Sequence, residues 1–319
     1  MRSTRRQLLQ TAAALGLALG APGPALSRAS DCVFALIGDL PYSDADEVRL
    51  GELLGAIGQE ELDFVLHVGD LKGSREPCED ALYDRRIARL AQSRQPLLLL
   101  PGDNDWTDCT RTDAEAQPLE RLEALRERLW RRRLTLGGRP PQDAGRLGLV
   151  AQAQRPENQR WRVGTVQFVS AHVVGSDNAR RGFAGAAESF EARMADNRAW
   201  VLAALETARR EKARALAIAF HAHPDWAPSA RSGFAGWIEL LREVAESWSG
   251  PLLLLHGDSH RFRVDRPLQD ARGRTYPQVL RVESFGWPMT SQWVRIVFRD
   301  EADAGFEVSV RSTAAPSRA

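Results

Sequence analysis

The sequence predicts a layered α/β fold, in which helices cover sheets of short buried strands. Apolar runs alternate with segments of helical periodicity along most of the chain. Runs such as the four leucines before Pro101 are apolar at every position, which is typical of strands buried on both faces. The 319 residues, 43% of them hydrophobic, provide enough material for a large core.

The elements follow in order from this periodicity. Strands are predicted at residues 32 to 38, 62 to 69, 96 to 100, 163 to 171, 214 to 221 and 251 to 256. Helices are predicted at residues 44 to 58, 79 to 93, 117 to 134, 188 to 212 and 231 to 248. After residue 260, four further strands, antiparallel and consecutive, are expected to complete a second sheet. Residues 137 to 160 are interpreted as a long irregular insertion within a single domain that spans residues 30 to 319.

Residues 1 to 29 have the pattern of an export signal. A basic start is followed by an apolar stretch from Ala12 to Leu19 and then by small residues, and the apolar part is too short for a stable membrane span. The pair Arg5–Arg6 resembles a twin-arginine signal, which would engage an export machinery; an ordinary secretory signal is the alternative. We therefore expect an exported protein, located in the periplasm, with no membrane span in its mature part.

Composition argues against a polyanionic partner. The formal net charge is +1, so no nucleic-acid scaffold is expected. The arginine-rich run at 121 to 133 contains interleaved acids and is typical of a solvated helix face. In an oxidising compartment two of the three cysteines are expected to pair. Cys78 and Cys109 each follow a Gly-Asp ending and are the favoured pair, whereas Cys32 opens a strand and is expected to be a buried thiol.

Four predicted strands end in the same Gly-Asp phrase, which delivers Asp39, Asp70, Asp103 and Asp258. In open α/β sheets, ligands bind beyond the carboxyl ends of the strands. One such ending is usually a turn, but four in the same register favour a metal site, because clustered carboxylates need cations. Imidazoles that could join them are His260, on the last of these loops, and His221 or His223, after another strand.

The order of these motifs resembles the calcineurin-like metallophosphoesterase superfamily, whose pattern is GDxH, GD, GNH followed by an acid, a strand-ending His, and GHxH. The matching stretches here are GDLP at 38 to 41, GD at 69 to 70, GDND at 102 to 105, FHAHP at 220 to 224 and GDSH at 257 to 260. The resemblance implies an αββα sandwich of two mixed sheets flanked by helices. It also implies two divalent metal ions and hydrolysis of a phosphomonoester or phosphodiester by a hydroxide shared between the metals.

The resemblance also assigns roles to individual residues. Asp39 and His260 would bind the first metal, Asp70 would bridge both, and Asp103 would bind the second. Asp258 and either His221 or His223 would complete the second site, and the spacing does not decide between the two histidines. Asp105 is expected to orient Asn104 beside the substrate. The metals can be Mn, Mg, Fe, Ca or Zn.

The departures from the family pattern concern catalysis. Pro41 replaces the histidine of GDxH, Asp103 replaces an asparagine, Asn104 replaces the catalytic histidine, and Asp258 replaces the first histidine of GHxH. The extra carboxylates favour the harder ions Mg²⁺, Mn²⁺ and Ca²⁺ over Zn²⁺. Asn104 cannot deliver a proton, a contribution that is typically worth ~10²–10⁴-fold in rate. Candidates for that role are His172 and His256, each at the end of a predicted strand.

Three functions therefore remain open at this point. The favoured one is a metal-dependent phosphoric ester hydrolase acting on a small-molecule or macromolecular phosphoester. The second is a non-catalytic protein that holds a metal or a phosphorylated ligand on the same loops. In the third, the Gly-Asp turns are purely structural and calcium stabilises them.

Overall fold

The computed structural model describes residues 31–301 and 305–313. The predicted export signal lies outside these residues. Among the helices in the two described ranges, none combines the length and the hydropathy of a membrane-spanning segment.

The bounds of the elements follow the predicted order. The strands in the described part of the chain are β1 (Cys32–Ile37), β2 (Phe64–His67), β3 (Leu97–Leu99), β4 (Val150–Ala151), β5 (Gln159–Val163), β6 (Val166–Ser170), β7 (Ala215–Ala219), β8 (Leu252–His256), β9 (Arg263–Asp265), β10 (Val279–Glu283), β11 (Gln292–Phe298) and β12 (Phe306–Ser312). The α-helices are α1 (Asp44–Ile57), α2 (Asp80–Leu90), α3 (Pro118–Arg128), α4 (Pro140–Arg146), α5 (Ala186–Arg210) and α6 (Ala235–Ser247). A 3₁₀ helix covers Thr107–Arg111, and one further helical turn covers Gly175–Asn178.

The strands form two mixed sheets. One has the order β12-β11-β1-β2-β3, and the other has the order β4-β5-β6-β7-β8-β10-β9. Strands β1, β2 and β3 run parallel in the first sheet, as do β6, β7, β8 and β10 in the second. Their carboxyl ends therefore gather at the same edge of each sheet, where ligands are expected in such folds.

Three apolar layers hold the sandwich together. Between the sheets, Phe34 and Leu66 from one sheet belong to the same buried cluster as Phe168 and Leu253 from the other. Helices α1, α2 and α3 cover the outer face of the first sheet, and α5 and α6 cover the outer face of the second. Because each sheet is buried on both faces, its central strands are apolar at every position. The expected αββα architecture is confirmed.

The 137 to 160 segment is more regular than expected. It contains α4, which begins with a proline at its first turn, and the edge strand β4, which pairs with β5. Proline at the first position of a helix lacks only an N–H that would be unpaired there anyway, so it is compatible with a helix start. The interpretation as an irregular insertion was wrong for these residues.

The strands after residue 260 are also arranged differently from the expectation. They do not complete one sheet, since β9 and β10 extend the second sheet while β11 and β12 extend the first. Strand β10 pairs antiparallel with β9 on one side, but it lies parallel to β8 on the other. Pairing depends on which strand edge is free in three dimensions, and the alternation pattern of a single strand does not carry that information.

Candidate metal centre

The four Gly-Asp endings meet at one edge of the sandwich. Asp39, Asp70 and Asp103 follow β1, β2 and β3, while Asp258 follows β8 in the second sheet. The backbone N–H of Asp258 donates to both carboxylate oxygens of Asp39, at 3.0 and 3.1 Å. This contact joins the loops of the two sheets, so the site lies across the top of the sandwich and draws on both halves.

The backbone at three of these aspartates is left-handed. The φ angles of Asp39, Asp70 and Asp258 are 56°, 62° and 77°, and that of His260 is 60°. Such angles are uncommon for residues other than glycine and cluster at functional sites. The glycine before each aspartate does not account for these turns, because among Gly38, Gly69, Gly102 and Gly257 only Gly69, with φ of 107°, has a positive angle.

Gly102 and Gly257 leave room for the carboxylates of neighbouring loops. A Cβ atom at Gly102 would lie 1.9 Å from Oδ1 of Asp70, and one at Gly257 would lie 2.3 Å from Oδ2 of Asp39. Any larger residue would therefore displace the carboxylate of the neighbouring loop. Glycine is required at positions 102 and 257 because each of these two residues faces the aspartate of another strand.

Two groups of metal-ligating side chains share one carboxylate. Asp39, Asp70 and His260 form the first group, and Asp70, Asp103 and His221 form the second. Within each group, one ligand atom from every member lies within 4.8 Å of the others. Two ligand groups that share Asp70 fit a pair of cations bridged by that carboxylate, with oxygen and imidazole donors suited to divalent ions.

Asp258 and the two candidate histidines have distinct positions. Asp258 Oδ1 lies 3.9 Å from His221 Nε2, and Asp258 Oδ2 accepts from the backbone N–H of His223 at 2.7 Å. The imidazole of His221 lies in the second ligand group, whereas that of His223 faces Glu283 at 3.4 Å. Of the two histidines, the geometry therefore favours His221 as a ligand.

His223 belongs to a third group, together with His256 and Glu283. Arg263 and Arg281 both donate to Oε2 of Glu283, at 2.5 and 3.1 Å. Two guanidinium groups therefore already neutralise the only carboxylate of this group, and it does not fit a cation. Burial also lowers the pKa of His256 to about 3, so His256 is neutral near pH 7 and unsuited to donating a proton.

Asp105 fixes the loops that carry Asp70 and Asp103 by accepting hydrogen bonds from their backbone. Its carboxylate accepts hydrogen bonds from the N–H groups of Asp70, Leu71 and Gly102, at 3.1, 2.8 and 2.8 Å. It was expected to orient Asn104, but its oxygens accept from the neighbouring backbone. The backbone donors face inward where the two loops meet, so a carboxylate is the group that satisfies them.

Asn104 contacts the bridging carboxylate directly. Its backbone N–H donates to Asp70 Oδ1 at 3.0 Å, and its side-chain amide donates to Asp70 Oδ2 at 2.5 Å. The same amide donates to the hydroxyl of Tyr42 at 3.2 Å. Asn104 thus orients Asp70 with donors that carry no transferable proton at neutral pH.

Tyr42 is a site residue that the sequence reasoning missed. Its hydroxyl donates to Asp70 Oδ2 at 2.7 Å and lies 3.2 Å from Nε2 of His260. Tyr42 follows Pro41, which stands where the related pattern has a histidine. The tyrosine at the end of GDLPY was the available signal, since a polar side chain there lies on the same loop as Asp39.

His172 lies in a separate buried network. Its Nδ1 is 2.8 Å from Glu157, which also accepts from Arg126 at 2.6 Å, and its ring lies edge-on to Trp106. Burial lowers the pKa of His172 to about 3, against the opposing influence of Glu157. A neutral, fully buried imidazole does not suit the proton-donor role expected for it.

A disulfide joins the loops after β2 and β3. Cys78 and Cys109 are bonded, with Cα atoms 5.5 Å apart, and Cys32 is a buried free thiol. The expected pairing is confirmed. The bond connects the segment that follows Asp70 to the segment that follows Asp103, so it limits how far these two loops can move apart.

The pKa shifts of the clustered side chains indicate a site that favours bound cations. Burial raises the pKa of Asp39 to about 8 and raises that of Asp70 well above its usual range, and the neighbouring carboxylates add to both shifts. Although burial opposes it, the pKa of His221 is raised by Asp70, Asp103, Asp258 and Asp39. Three buried carboxylates and the half-buried Asp258, with two imidazoles, would be neutralised by two divalent ions, so the donor set fits a dimetal centre.

Solved structures resemble this arrangement of sheets and loops. A dimetal phosphatase from Danio rerio is 13% identical in sequence, with a TM-score of 0.52 over 89% of this chain and 96% of that chain. The chain has the fold of this dimetal phosphatase, with two mixed sheets flanked by helices. The calcineurin-like phosphoesterase YfkN from Bacillus subtilis is 10% identical, with a TM-score of 0.48 over 90% of this chain and 92% of that one. No family model and no curated protein matches the sequence.

The likeness at this identity shows the fold and leaves the chemistry to the residues of this chain. In this chain, the second ligand group contains Asp103 and His221, and Asp258 lies beside it. Asn104 and Tyr42 contact Asp70. The centre is therefore richer in carboxylates than the motif pattern that the sequence resembles.

Proposed function

We propose that the protein is an exported, metal-dependent phosphoric ester hydrolase. The observation that carries the proposal is the sharing of Asp70 between two buried ligand groups at the strand ends. When bound, divalent cations supply Lewis-acid chemistry, since they draw charge from a phosphoryl group and lower the pKa of water. Asp39 and His260 would hold one cation, Asp103, His221 and Asp258 the other, and Asp70 both.

The remaining residues orient this centre. Tyr42 and Asn104 donate to Asp70, and Asp105 anchors the loops that carry Asp70 and Asp103 through their backbone N–H groups. Because each of these residues holds a ligand or its backbone, the donors keep one arrangement while substrate binds. Preorganised donors of this kind are what metal-assisted hydrolysis requires from the protein.

The position of Asn104 limits the substrate. Its amide has no proton to give to a leaving oxygen, and the histidines considered for that role are buried away from Asp70. We infer that the preferred substrate has a leaving group that needs little protonation, such as an aryl alcohol. An export signal at residues 1 to 29 and the Cys78–Cys109 bond support a periplasmic location as part of this proposal.

The alternative is a binding protein that uses the same centre without turnover. One observation favours this alternative: the Asn104 amide donates to both Asp70 and Tyr42. Asn104 stands where the pattern has its catalytic histidine, so that position holds a hydrogen-bond donor that is already in use. This alternative also predicts bound metal, so only turnover distinguishes the two.

Hydrolysis of p-nitrophenyl phosphate and bis(p-nitrophenyl) phosphate after loading with Mn²⁺, Mg²⁺, Ca²⁺ or Zn²⁺ tests the proposal. Wild type should turn over at least one ester only with metal, and Asp70→Asn should lose that activity. Asp84→Asn is the matched control, because Asp84 is an exposed carboxylate whose partner is Arg128 on the outer surface. Two bound metals with no turnover of either ester would favour the binding protein.

A further inference from the structure

The segment after β6 has an unusual backbone. Ser176, Asp177, Asn178 and Ala179 have φ angles of 53°, 54°, 56° and 50°, which makes one turn of left-handed helix. Left-handed helical backbone is unfavourable for every residue with a Cβ atom, and it usually occurs at single positions. None of these four residues is a glycine. The turn therefore persists because its surroundings impose it.

A buried arginine holds the C-terminal end of the turn in place. Arg193 donates to the side-chain oxygen and to the backbone oxygen of Asn178, both at 2.5 Å. The side-chain amide of Asn178 donates to the backbone oxygen of Gly233 at 3.1 Å, and the N–H of Gly233 donates to Asp177 at 2.7 Å. Helix α5 and the segment before α6 thus hold the turn from both sides.

The near end of the turn contacts the metal centre. The hydroxyl of Ser176 donates to Oδ2 of Asp103 at 2.7 Å, and its next acceptor is Asp108 at 3.3 Å. The other oxygen of Asp103, Oδ1, lies 3.2 Å from Nε2 of His221. One oxygen of Asp103 therefore accepts from Ser176, and the other faces His221 in the second ligand group. A Cβ at Gly175 would lie 2.6 Å from Asp103 Oδ2, so the turn packs directly against this carboxylate.

We propose that Ser176 is a positioning residue for the second metal, and that the left-handed turn exists to hold its hydroxyl on Asp103. With Oδ2 accepting from Ser176, Oδ1 of Asp103 would be the oxygen left for a cation, and the carboxylate would be held in one orientation. Hydrogen-bond partners of metal ligands fix ligand geometry, and their loss typically lowers metal affinity by ~10–100-fold. The inference rests on the proposed metal site but does not depend on hydrolysis.

Ser176→Gly separates this role from a purely structural one. Glycine adopts a left-handed backbone without strain, so the metal-free variant, kept in a chelator, should unfold at a temperature about 2 °C higher than Ser176→Ala, which lacks the same hydroxyl. The same variant should lose ~10–100-fold in affinity for one of two Mn²⁺ ions and keep the other, as followed by electron paramagnetic resonance. Ser176→Ala should show the same loss of affinity without the gain in stability.

Lys212→Gly is the matched control for the relief of strain. Lys212 is exposed after α5 and has a φ angle of 53°, so glycine there should raise the unfolding temperature and leave both Mn²⁺ affinities unchanged. Equal Mn²⁺ affinities in wild type, Ser176→Ala and Ser176→Gly would overturn the role of Ser176 while leaving the metal site intact. Failure of wild type to bind Mn²⁺ would overturn both the inference and the proposed metal centre.

Discussion

Removal of the Cys78–Cys109 bond should weaken both the fold and the metal centre. The bond closes a loop between residues separated by 31 positions, for which the chain-entropy relation gives a stabilisation of about 3.7 kcal/mol. The double variant Cys78→Ala/Cys109→Ala should lose about this amount of unfolding free energy. Alanine is chosen because Cys109 is fully buried, and a serine would place an additional hydroxyl there.

The same variant should bind metal less tightly, because the bond ties the loop of Asp70 to the loop of Asp103. We expect a fall of about tenfold in the affinity of the second site, which corresponds to about 1.4 kcal/mol of ordering that the cation must then supply. Urea unfolding in the presence of a chelator measures stability, and calorimetric titration with Mn²⁺ measures affinity. Wild type treated with a reducing agent is the control and should match the double variant. A loss of stability below about 1 kcal/mol, together with unchanged affinity, would refute this reasoning.

Three further perturbations test other parts of the site. Gly102→Ala should abolish binding of the bridged metal pair, since its Cβ would lie 1.9 Å from Asp70, while Gly55→Ala, in open space on α1, should leave metal binding unchanged in the same titration. Asp105→Asn should cost about 3 kcal/mol in urea unfolding, because an amide cannot accept from all three backbone donors. The folded pKa of Asp39, raised to about 8 by burial, lies above its unfolded value, so this group is protonated below pH 8. Metal binding at pH 7 should therefore release at least about one proton, and affinity should fall as pH falls below 8; equal calorimetric heats in buffers of different ionisation enthalpy would contradict this.

The strands that carry the site could be predicted because their sequences leave little choice. A run such as LLLL before Pro101 suits only a strand buried on both faces, and its end at Gly102–Asp103 marks the sheet edge. The convergence of Asp39, Asp70 and Asp103 followed from the parallel order of these strands. The residues that contact these aspartates could not be predicted from the sequence in the same way. Tyr42 reaches Asp70 because of the path of one loop, and no periodicity records that path.

The left-handed turn and the sheet pairing illustrate two further limits. Nothing in the residues Ser176 to Ala179 indicates a left-handed backbone, since the cause is Arg193, which is distant in sequence and meets Asn178 only in the folded protein. Strand β10 has the residues of an ordinary strand, but its own sequence does not show that it lies parallel to β8. Such features are set by tertiary contacts and not by local propensity.

The choice between His221 and His223 shows what geometry adds to a motif. Both histidines follow β7 and both precede Pro224, so the spacing alone left the alternatives open. The structure turns His221 toward Asp70 and Asp103, with its Nδ1 2.8 Å from the backbone oxygen of Val68, and turns His223 toward Glu283. A hydrogen bond from one ring nitrogen to a carbonyl fixes the tautomer that leaves the other nitrogen for a ligand contact.

The most direct test of the central claim is the metal content and phosphoesterase activity of the purified protein, measured side by side for wild type and Asp70→Asn. We expect two divalent ions per wild-type chain, turnover of an aryl phosphate that requires them, and loss of both the metal pair and the turnover in Asp70→Asn. Two ions in Asp70→Asn, or no bound metal in wild type after loading with Mn²⁺, Mg²⁺, Ca²⁺ and Zn²⁺, would contradict a dimetal centre bridged by Asp70.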